Sequence, residues 1–147
     1  MPIALVIDTS VILKWFRQGE ILADQALFLR DAYLQGQFSL FVPSLCAYEF
    51  ANVLKYKQDL TVDQIQAAIG SLFDFGFEWF PPTTDLLNRA VELSKMYQIT
   101  VYDASFVAVA DLLGAQLVTA DRKLADNLHM LALVHFLGQV DLDVISS

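Results

Sequence analysis

Ile3-Ala4-Leu5-Val6-Ile7-Asp8-Thr9-Ser10 is the stretch that decides the fold. Five consecutive apolar residues, three of them β-branched, read as a strand buried on both faces, the pattern of a central strand in a parallel sheet. The run ends on an aspartate followed by two small hydroxyl residues. In open α/β sheets ligands bind beyond the carboxyl ends of the strands. A carboxylate at that place is positioned to hold a cation or to take part in chemistry. Asp, Thr and Ser are also good helix N-caps, so Asp8 reads equally as the cap of a following helix.

Working outward, the rest of the chain alternates strands with helices. Residues 9–16 read as a short helix with Val11, Ile12, Trp15 and Phe16 on one face, broken at Gly19. Residues 21–34 read as a second helix ended by Gly36, and 39–42 as a short strand before Pro43. Residues 44–57 form a helical pattern with Leu45, Phe50, Val53 and Leu54 inward. Glu49 stands in its middle, and Asn52 lies one turn on along the same face. A carboxylate in so apolar a stretch calls for a partner, a nearby lysine or a cation.

Thr61-Val62-Asp63-Gln64 fits a capping box and opens a helix running to Phe73. Residues 77–80 are a strand stopped by Pro81-Pro82, and 84–97 an amphipathic helix with Leu87, Ala90, Val91 and Ser94 on one side. Ile99-Thr100-Val101-Tyr102 leads into Asp103, which begins a helix over 104–113. That helix is apolar nearly all round and therefore buried. The strand at 115–119 delivers Asp121 just past its carboxyl end, as the first strand delivers Asp8. A short helix to Leu128 and a strand at 131–137 follow, and the last few residues are expected to be loose. The alternation predicts an α/β fold: a single domain over residues 1–147 with a central parallel sheet of about five strands flanked by helices.

Composition bounds the function. With 56% hydrophobic and 18% charged residues in 147, the chain buries a real core. No apolar run reaches the roughly 18 residues a membrane span needs, because Asp103, Asp111 and Asp121 interrupt the most apolar region. No basic segment precedes the first hydrophobic run, which argues against a signal peptide and for a cytoplasmic protein. Cys46, the single cysteine, excludes an internal disulfide and reads as a small core residue. Nine Lys+Arg against 17 Asp+Glu give a net charge of −8. That balance disfavours nucleic-acid binding unless divalent cations neutralise part of the acid; it also suits a basic partner.

Asp8 and Asp121 end strands, Asp103 starts a helix and Glu49 lies on a helix wall, so all four can meet at one end of a parallel sheet. Gathered carboxylates raise each other's pKa unless a cation neutralises them. No histidine or cysteine belongs to these motifs. The donor set is therefore all oxygen, which selects Mg²⁺ or Mn²⁺ over zinc. Such an ion activates a bound water and offsets charge in a phosphoryl transition state. Other acidic α/β sites fit worse. An aspartyl-phosphate phosphatase wants a second Asp two places after the first, where Ser10 stands, and a phospho-receiver domain wants an acidic pair. There is no P-loop and no Gly-rich dinucleotide fingerprint. His129 and His135 are not at metal spacing and read as structural or surface residues.

Four segments then carry a resemblance: Val6-Ile7-Asp8-Thr9-Ser10-Val11, Tyr48-Glu49-Phe50-Ala51-Asn52-Val53-Leu54, Tyr102-Asp103-Ala104-Ser105-Phe106-Val107-Ala108-Val109-Ala110 and Leu117-Val118-Thr119-Ala120-Asp121-Arg122-Lys123-Leu124. In order, and across almost the whole chain, they resemble the four motifs of PIN domains, in particular the toxin ribonucleases of VapBC toxin–antitoxin pairs. The resemblance implies a metal-dependent RNA-cleaving site, a homodimer, and a cognate antitoxin whose C-terminal segment covers the site. Carried over by position, Asp8, Glu49, Asp103 and Asp121 are the metal-holding acidic quartet. Thr9 or Ser10, with Thr119, orient it by hydrogen bonds, and Asn52 supports Glu49. Asp126 is either a peripheral, water-mediated carboxylate or a solvated helix residue.

The expected mechanism is attack of a metal-activated water on an RNA phosphodiester. Lys14, Arg17, Arg122 and Lys123 flank the motifs and are candidates for steering phosphates, with plain surface charge as the alternative. The Leu-, Phe- and Tyr-rich stretches at 21–34 and 45–56 read as a dimer face, an antitoxin groove or core. Two rival readings stay open: a stand-alone PIN nuclease in RNA processing or on DNA flaps, and a non-catalytic acidic module that holds metal or a basic peptide.

Overall fold

The computed structural model describes residues 2–17, 19–141 and 145. In it the opening run forms β1 (Ile3–Ile7), with Leu5, Val6 and Ile7 fully buried, as a strand covered on both faces must be. Four further strands join it: β2 (Phe38–Pro43), β3 (Glu78–Phe80), β4 (Gln116–Thr119) and β5 (Val134–Phe136). They make one sheet in the order β3-β2-β1-β4-β5, and every pair is parallel.

The chain lays β2 and β3 to one side of β1 and then crosses to lay β4 and β5 on the other. The switch point thus falls between β1 and β4, where open α/β sheets leave a crevice beyond the strand ends. Register fixes what stands there. Ile7 pairs with Val118, and the ladder continues from the Asp8 amide to the Val118 carbonyl at 3.2 Å. The next residues on the two strands, Asp8 and Thr119, are therefore placed side by side.

Among the described residues seven helices with defined bounds flank the sheet: α1 (Thr9–Lys14), α2 (Ala23–Leu34), α3 (Leu45–Lys55), α4 (Val62–Asp74), α5 (Thr84–Tyr97), α6 (Val101–Leu113) and α7 (Arg122–Asn127). The capping box at α4 forms as its sequence predicts, with reciprocal bonds of 3.2 and 2.9 Å between Thr61 and Gln64. Helix α6 is buried continuously from Ala104 to Ala110 and packs against β1, β2, β4 and α5. It ends where Gly114 takes the left-handed conformation, φ 64°, which a glycine adopts without a Cβ penalty. The Trp15 indole donates to the Ala26 carbonyl at 2.8 Å, tying α1 to α2.

Three readings shift. Helix α6 starts at Val101, earlier than expected, because the Thr100 hydroxyl accepts from the Asp103 amide at 3.0 Å and so caps the helix. Asp103 lies in its first turn. On α5 the buried residues are Leu86, Ala90 and Leu93, while Leu87 and Val91 are 43% and 48% exposed; helical spacing admits either set, and packing on α6 selects the first. Strand β5 pairs over three residues of the seven expected. The apolar stretches at 21–34 and 45–56 divide: Leu29, Cys46, Phe50 and Leu54 are core, whereas Ile21, Phe28, Leu34, Tyr48 and Tyr56 are exposed. Among the described residues no helix is long and apolar enough to cross a membrane. The looseness expected of the last few residues concerns positions that lie, Ile145 apart, outside the described ones.

Candidate active site

Asp8 takes the capping role expected of it. It is the N-cap of α1, with backbone in the extended region, and its Oδ1 accepts from the Ser10 amide at 3.1 Å and from the Ser10 hydroxyl. The Thr119 hydroxyl, brought alongside by the β1–β4 register, donates to Oδ2. The carboxyl is only 6% exposed. Burial pushes it up to about 6, against the lowering effect of the Ser10 and Thr119 hydrogen bonds, and the charge of Asp103 adds to the rise.

Those two hydroxyls also knit β1 to the turn after β4. Ser10 Oγ accepts from the Ala120 amide at 2.9 Å, and Thr119 Oγ1 accepts from the Asp121 amide at 3.0 Å. Asp121 then caps α7, its Oδ1 accepting from the Leu124 amide at 3.1 Å. Its side chain is exposed.

Glu49 projects from α3. The Thr9 hydroxyl donates to its Oε1 at 2.9 Å, so Thr9 and Ser10 divide the work: one faces Glu49, the other Asp8. Burial raises the Glu49 pKa, Thr9 opposes, and the charge of Asp103 raises it further. Asp103 is raised by burial first and by Asp121 second. Asp103 is thus the shared member: Asp8 and Glu49 both feel its charge, and it feels that of Asp121. Among the described residues no lysine or arginine forms an ion pair with any of the four; the lysine partner considered for Glu49 is absent there, and Thr9 takes its place.

The donor chemistry fits a hard divalent ion: four carboxylates, oxygen donors only, and mutual repulsion that a cation would relieve. The four do not stand as a closed ligand set. Among the described residues no group of three or more His, Cys, Asp or Glu side chains could hold an ion as placed.

The remaining candidates separate. Asn52 is exposed and lines a cleft with Glu49, but among the described residues it makes no hydrogen bond to it. Asp126 is exposed on α7. Lys14 pairs with Glu20 at 3.6 Å, and Arg17 with Asp59 at 3.1 Å and Glu20 at 3.9 Å, so both cations are already engaged. The Arg122 guanidinium lies 4.3 Å from the centre of the Phe136 ring, and Lys123 is exposed. His135 bonds Gln116 at 2.6 Å and His129 faces the Asp126 carbonyl at 2.8 Å, the structural roles expected of them.

Two features escaped the sequence reading. Cys46 borders the site, its Sγ 3.4 Å from the Thr9 hydroxyl; burial pushes its thiol up to about 12. The second is a pair of exposed tyrosines, Tyr48 and Tyr102, whose signal was their place immediately before Glu49 and Asp103.

Comparison with known proteins adds to this geometry. The family model for the PIN domain matches residues 5–127. Ribonuclease VapC3 of Pyrobaculum aerophilum is 34% identical over 127 residues, 83% of this chain and 92% of that protein. Among solved structures, a toxin–antitoxin complex from Klebsiella pneumoniae matches with a TM-score of 0.67 at 20% identity, covering 92% of this chain and 99% of its own. Mycobacterium tuberculosis VapC20, described as a sarcin–ricin loop cleaving toxin, matches with a TM-score of 0.64 at 16% identity, over 83% of this chain and 93% of its own. At these identities the structural matches speak to the fold alone.

Proposed function

The chain belongs to the PIN domain family, and from that premise we propose that it is an endoribonuclease, the toxin of a type II toxin–antitoxin pair, hydrolysing RNA phosphodiester bonds with Mg²⁺ or Mn²⁺. The observation that carries the proposal is Asp8: a buried carboxylate at the switch point of the sheet, raised to about 6 and sharing the field of Asp103 with Glu49. Burying such a group unneutralised is costly, and a site built to receive a cation explains why the fold keeps it. The names of relatives point the same way: one is a ribonuclease and others are toxins.

Asp8, Glu49, Asp103 and Asp121 would hold the ion. When bound, a divalent ion supplies an activated water and offsets charge that builds on the phosphoryl oxygens. The chain's own residues prepare the site for it. Ser10 and Thr119 hold both oxygens of Asp8, and Thr9 holds one oxygen of Glu49, so neither carboxylate spends rotational freedom on loading. Asp103, set in the first turn of α6, links the two halves. Of the four candidate phosphate-steering cations, Arg122 and Lys123 remain exposed without an ion pair among the described residues, Arg122 lying against the Phe136 ring.

The same proposal includes a cytoplasmic location, a homodimer, and an antitoxin whose basic groups complement the acidic site. The test is cleavage of a labelled RNA panel by partner-free protein with Mg²⁺, Mn²⁺ or EDTA, beside Asp8→Asn. Cutting that EDTA and the variant both abolish supports the proposal. The rival, a non-catalytic acidic module, draws on the open arrangement of the carboxylates; folded protein that cuts nothing with either metal would decide for it.

A further inference from the structure

The arginines of the chain are used in two ways. Arg17, Arg30 and Arg89 each pair with a carboxylate, at 3.1 Å to Asp59, 3.2 Å to Asp31 and 2.8 Å to Asp111. Arg122 forms no ion pair among the described residues, in a chain with 17 acids to nine bases. Its guanidinium carbon lies instead 4.3 Å from the centre of the Phe136 ring. A ring against one face of a guanidinium leaves the N–H donors along its edge open. A carboxylate would have taken them.

The sheet and a glycine set the place of that ring. Phe136 closes β5 and is the register partner of Thr119, whose hydroxyl holds Asp8. Arg122 directly follows Asp121, the cap of α7. Ring and guanidinium thus flank the acidic cluster on the side of α7 and β5. Gly138 stands against the ring. A Cβ there would lie 2.7 Å from Phe136 Cε2 and 3.2 Å from Cδ2, with Leu22 Cδ2 at 3.3 Å, so no larger residue fits unless the ring moves. Gly138 is not among the glycines with positive φ; the ring needs its smallness, and the backbone does not. We propose that Phe136, given room by Gly138, is a positioning residue that holds the open edge of Arg122 toward an RNA phosphate flanking the one that is cut. The inference rests on the ribonuclease reading and adds how a chain of net charge −8 grips a polyanion at the rim of an acidic site. A guanidinium edge matches two phosphate oxygens at once.

The test compares Arg122→Ala, Phe136→Leu, Phe136→Tyr and Gly138→Ala on an RNA that the wild type cuts. Arg122→Ala should raise KM about tenfold, the usual cost of a lost charge-assisted hydrogen bond, with kcat little changed. The slope of log affinity against log salt should flatten by about 0.7, the loss of one phosphate contact. Phe136→Leu keeps an apolar side chain without the ring, and KM should rise roughly two- to fivefold, the worth of an exposed cation–π contact. Gly138→Ala should match it, and Phe136→Tyr, which keeps the ring face, should restore the wild-type KM. Added to Arg122→Ala, neither Phe136→Leu nor Gly138→Ala should raise KM further, because the ring acts through the guanidinium. A methylphosphonate placed in turn at each linkage beside the cut removes one phosphate charge. It should raise the wild-type KM at one linkage and leave that of Arg122→Ala unmoved there.

Unchanged KM in every variant, with a flat methylphosphonate scan, would overturn the proposal and leave the ribonuclease reading standing; the Arg122–Phe136 contact would then be a clip between α7 and β5. Phe136→Leu and Gly138→Ala that lower kcat at constant KM would also overturn it, since the ring would then be acting on Asp8 through Thr119. Where either variant melts early, Arg122→Ala and the methylphosphonate scan decide, as both leave the packing around the ring in place. Wild-type protein that cuts no RNA would end the ribonuclease reading. Fluorescence anisotropy with labelled poly(U) would then judge the contact alone. A parallel loss of affinity in Arg122→Ala and Phe136→Leu would sustain it, and affinity that both keep would refute it.

Discussion

The two ends of the parallel sheet are built on the same device and used differently. At the carboxyl end a side-chain hydrogen bond crosses from β4 to the residue after β1, Thr119 to Asp8. Nearer the amino end one crosses between β4 and β5, from His135 to Gln116. Burial pushes both ionisable groups toward their neutral forms, raising Asp8 and lowering His135. His135 can simply stay neutral, and nothing charged is left over. Asp8 faces Asp103, and through it Glu49 and Asp121, and among the described residues no basic side chain forms an ion pair with any of them. A fold that leaves a burial cost unanswered at one end and settles it at the other marks the first as the place where a ligand is expected.

The largest effect should come from Asp8→Asn. RNA cleavage should fall about a thousandfold or more, since a bound metal contributes several kcal/mol to transition-state stabilisation. Metal-free stability should move the other way. The folded pKa of about 6 stands above the ordinary 3.8, so the Asp8 contribution is fully present below pH 3.8 and is lost as pH rises through 6. At neutral pH the ionised carboxylate costs about 3 kcal/mol. Asp8→Asn should therefore melt higher than wild type at pH 7.5 in EDTA and converge with it near pH 4. A lower melting temperature at pH 7.5 would mean that Asp8 is satisfied without a cation, and the contrast between the two ends would collapse.

Thr119→Val, nearly isosteric, comes next. It removes the donor to Asp8 Oδ2 and the acceptor for the Asp121 amide. Activity should drop roughly 10- to 100-fold, the usual cost of losing a group that orients a metal ligand. Because that hydrogen bond lowers the Asp8 pKa, the acid limb of the rate profile should move to higher pH. Thr9→Val should act in the same sense through Glu49, and more weakly, because Glu49 is less deeply buried. A Thr119→Val profile that keeps its limb in place would detach Thr119 from the chemistry.

How much of this was legible follows the same divide. The apolar run Ile3–Ile7 and the acids that close the two strands announced a parallel sheet with a loaded carboxyl end, since burial on both faces and chain direction leave plain marks in sequence. The allotment of Thr9 to Glu49 and Ser10 to Asp8 was not legible, because adjacent hydroxyls are told apart only by the direction each takes out of the helix turn. Nor was the start of α6: Ile99-Thr100-Val101-Tyr102 has the composition of a strand end, and only the Thr100 cap reveals a helix. The buried face of α5 was ambiguous because Leu86/Ala90/Leu93 and Leu87/Ala90/Val91/Ser94 are both helical stripes, sharing the buried Ala90. Lys14 and Arg17 drew attention by closeness in sequence to Asp8; their partners Glu20 and Asp59 lie across loops that spacing does not resolve.

Asp121→Asn should cost activity about tenfold and almost nothing in stability, since asparagine caps a helix as well as aspartate does. Asp121→Ala should give the same activity and lose about 1 kcal/mol through the missing cap. Equal melting temperatures for the two would show that the cap on α7 is idle.

The smallest effect belongs to the other end. Burial lowers the His135 pKa below its ordinary 6.5, so its contribution to stability is present above 6.5 and is lost as pH falls through the lower folded value. His135→Gln keeps a group able to meet Gln116 and removes the titration. The variant should cleave RNA at the wild-type rate across the pH range, and its melting temperature should fall less than that of wild type between pH 7 and pH 5. If instead the substitution shifted the rate profile, protonation near the amino end would be coupled to the acidic cluster through β4, and the two ends of the sheet could no longer be treated as independent.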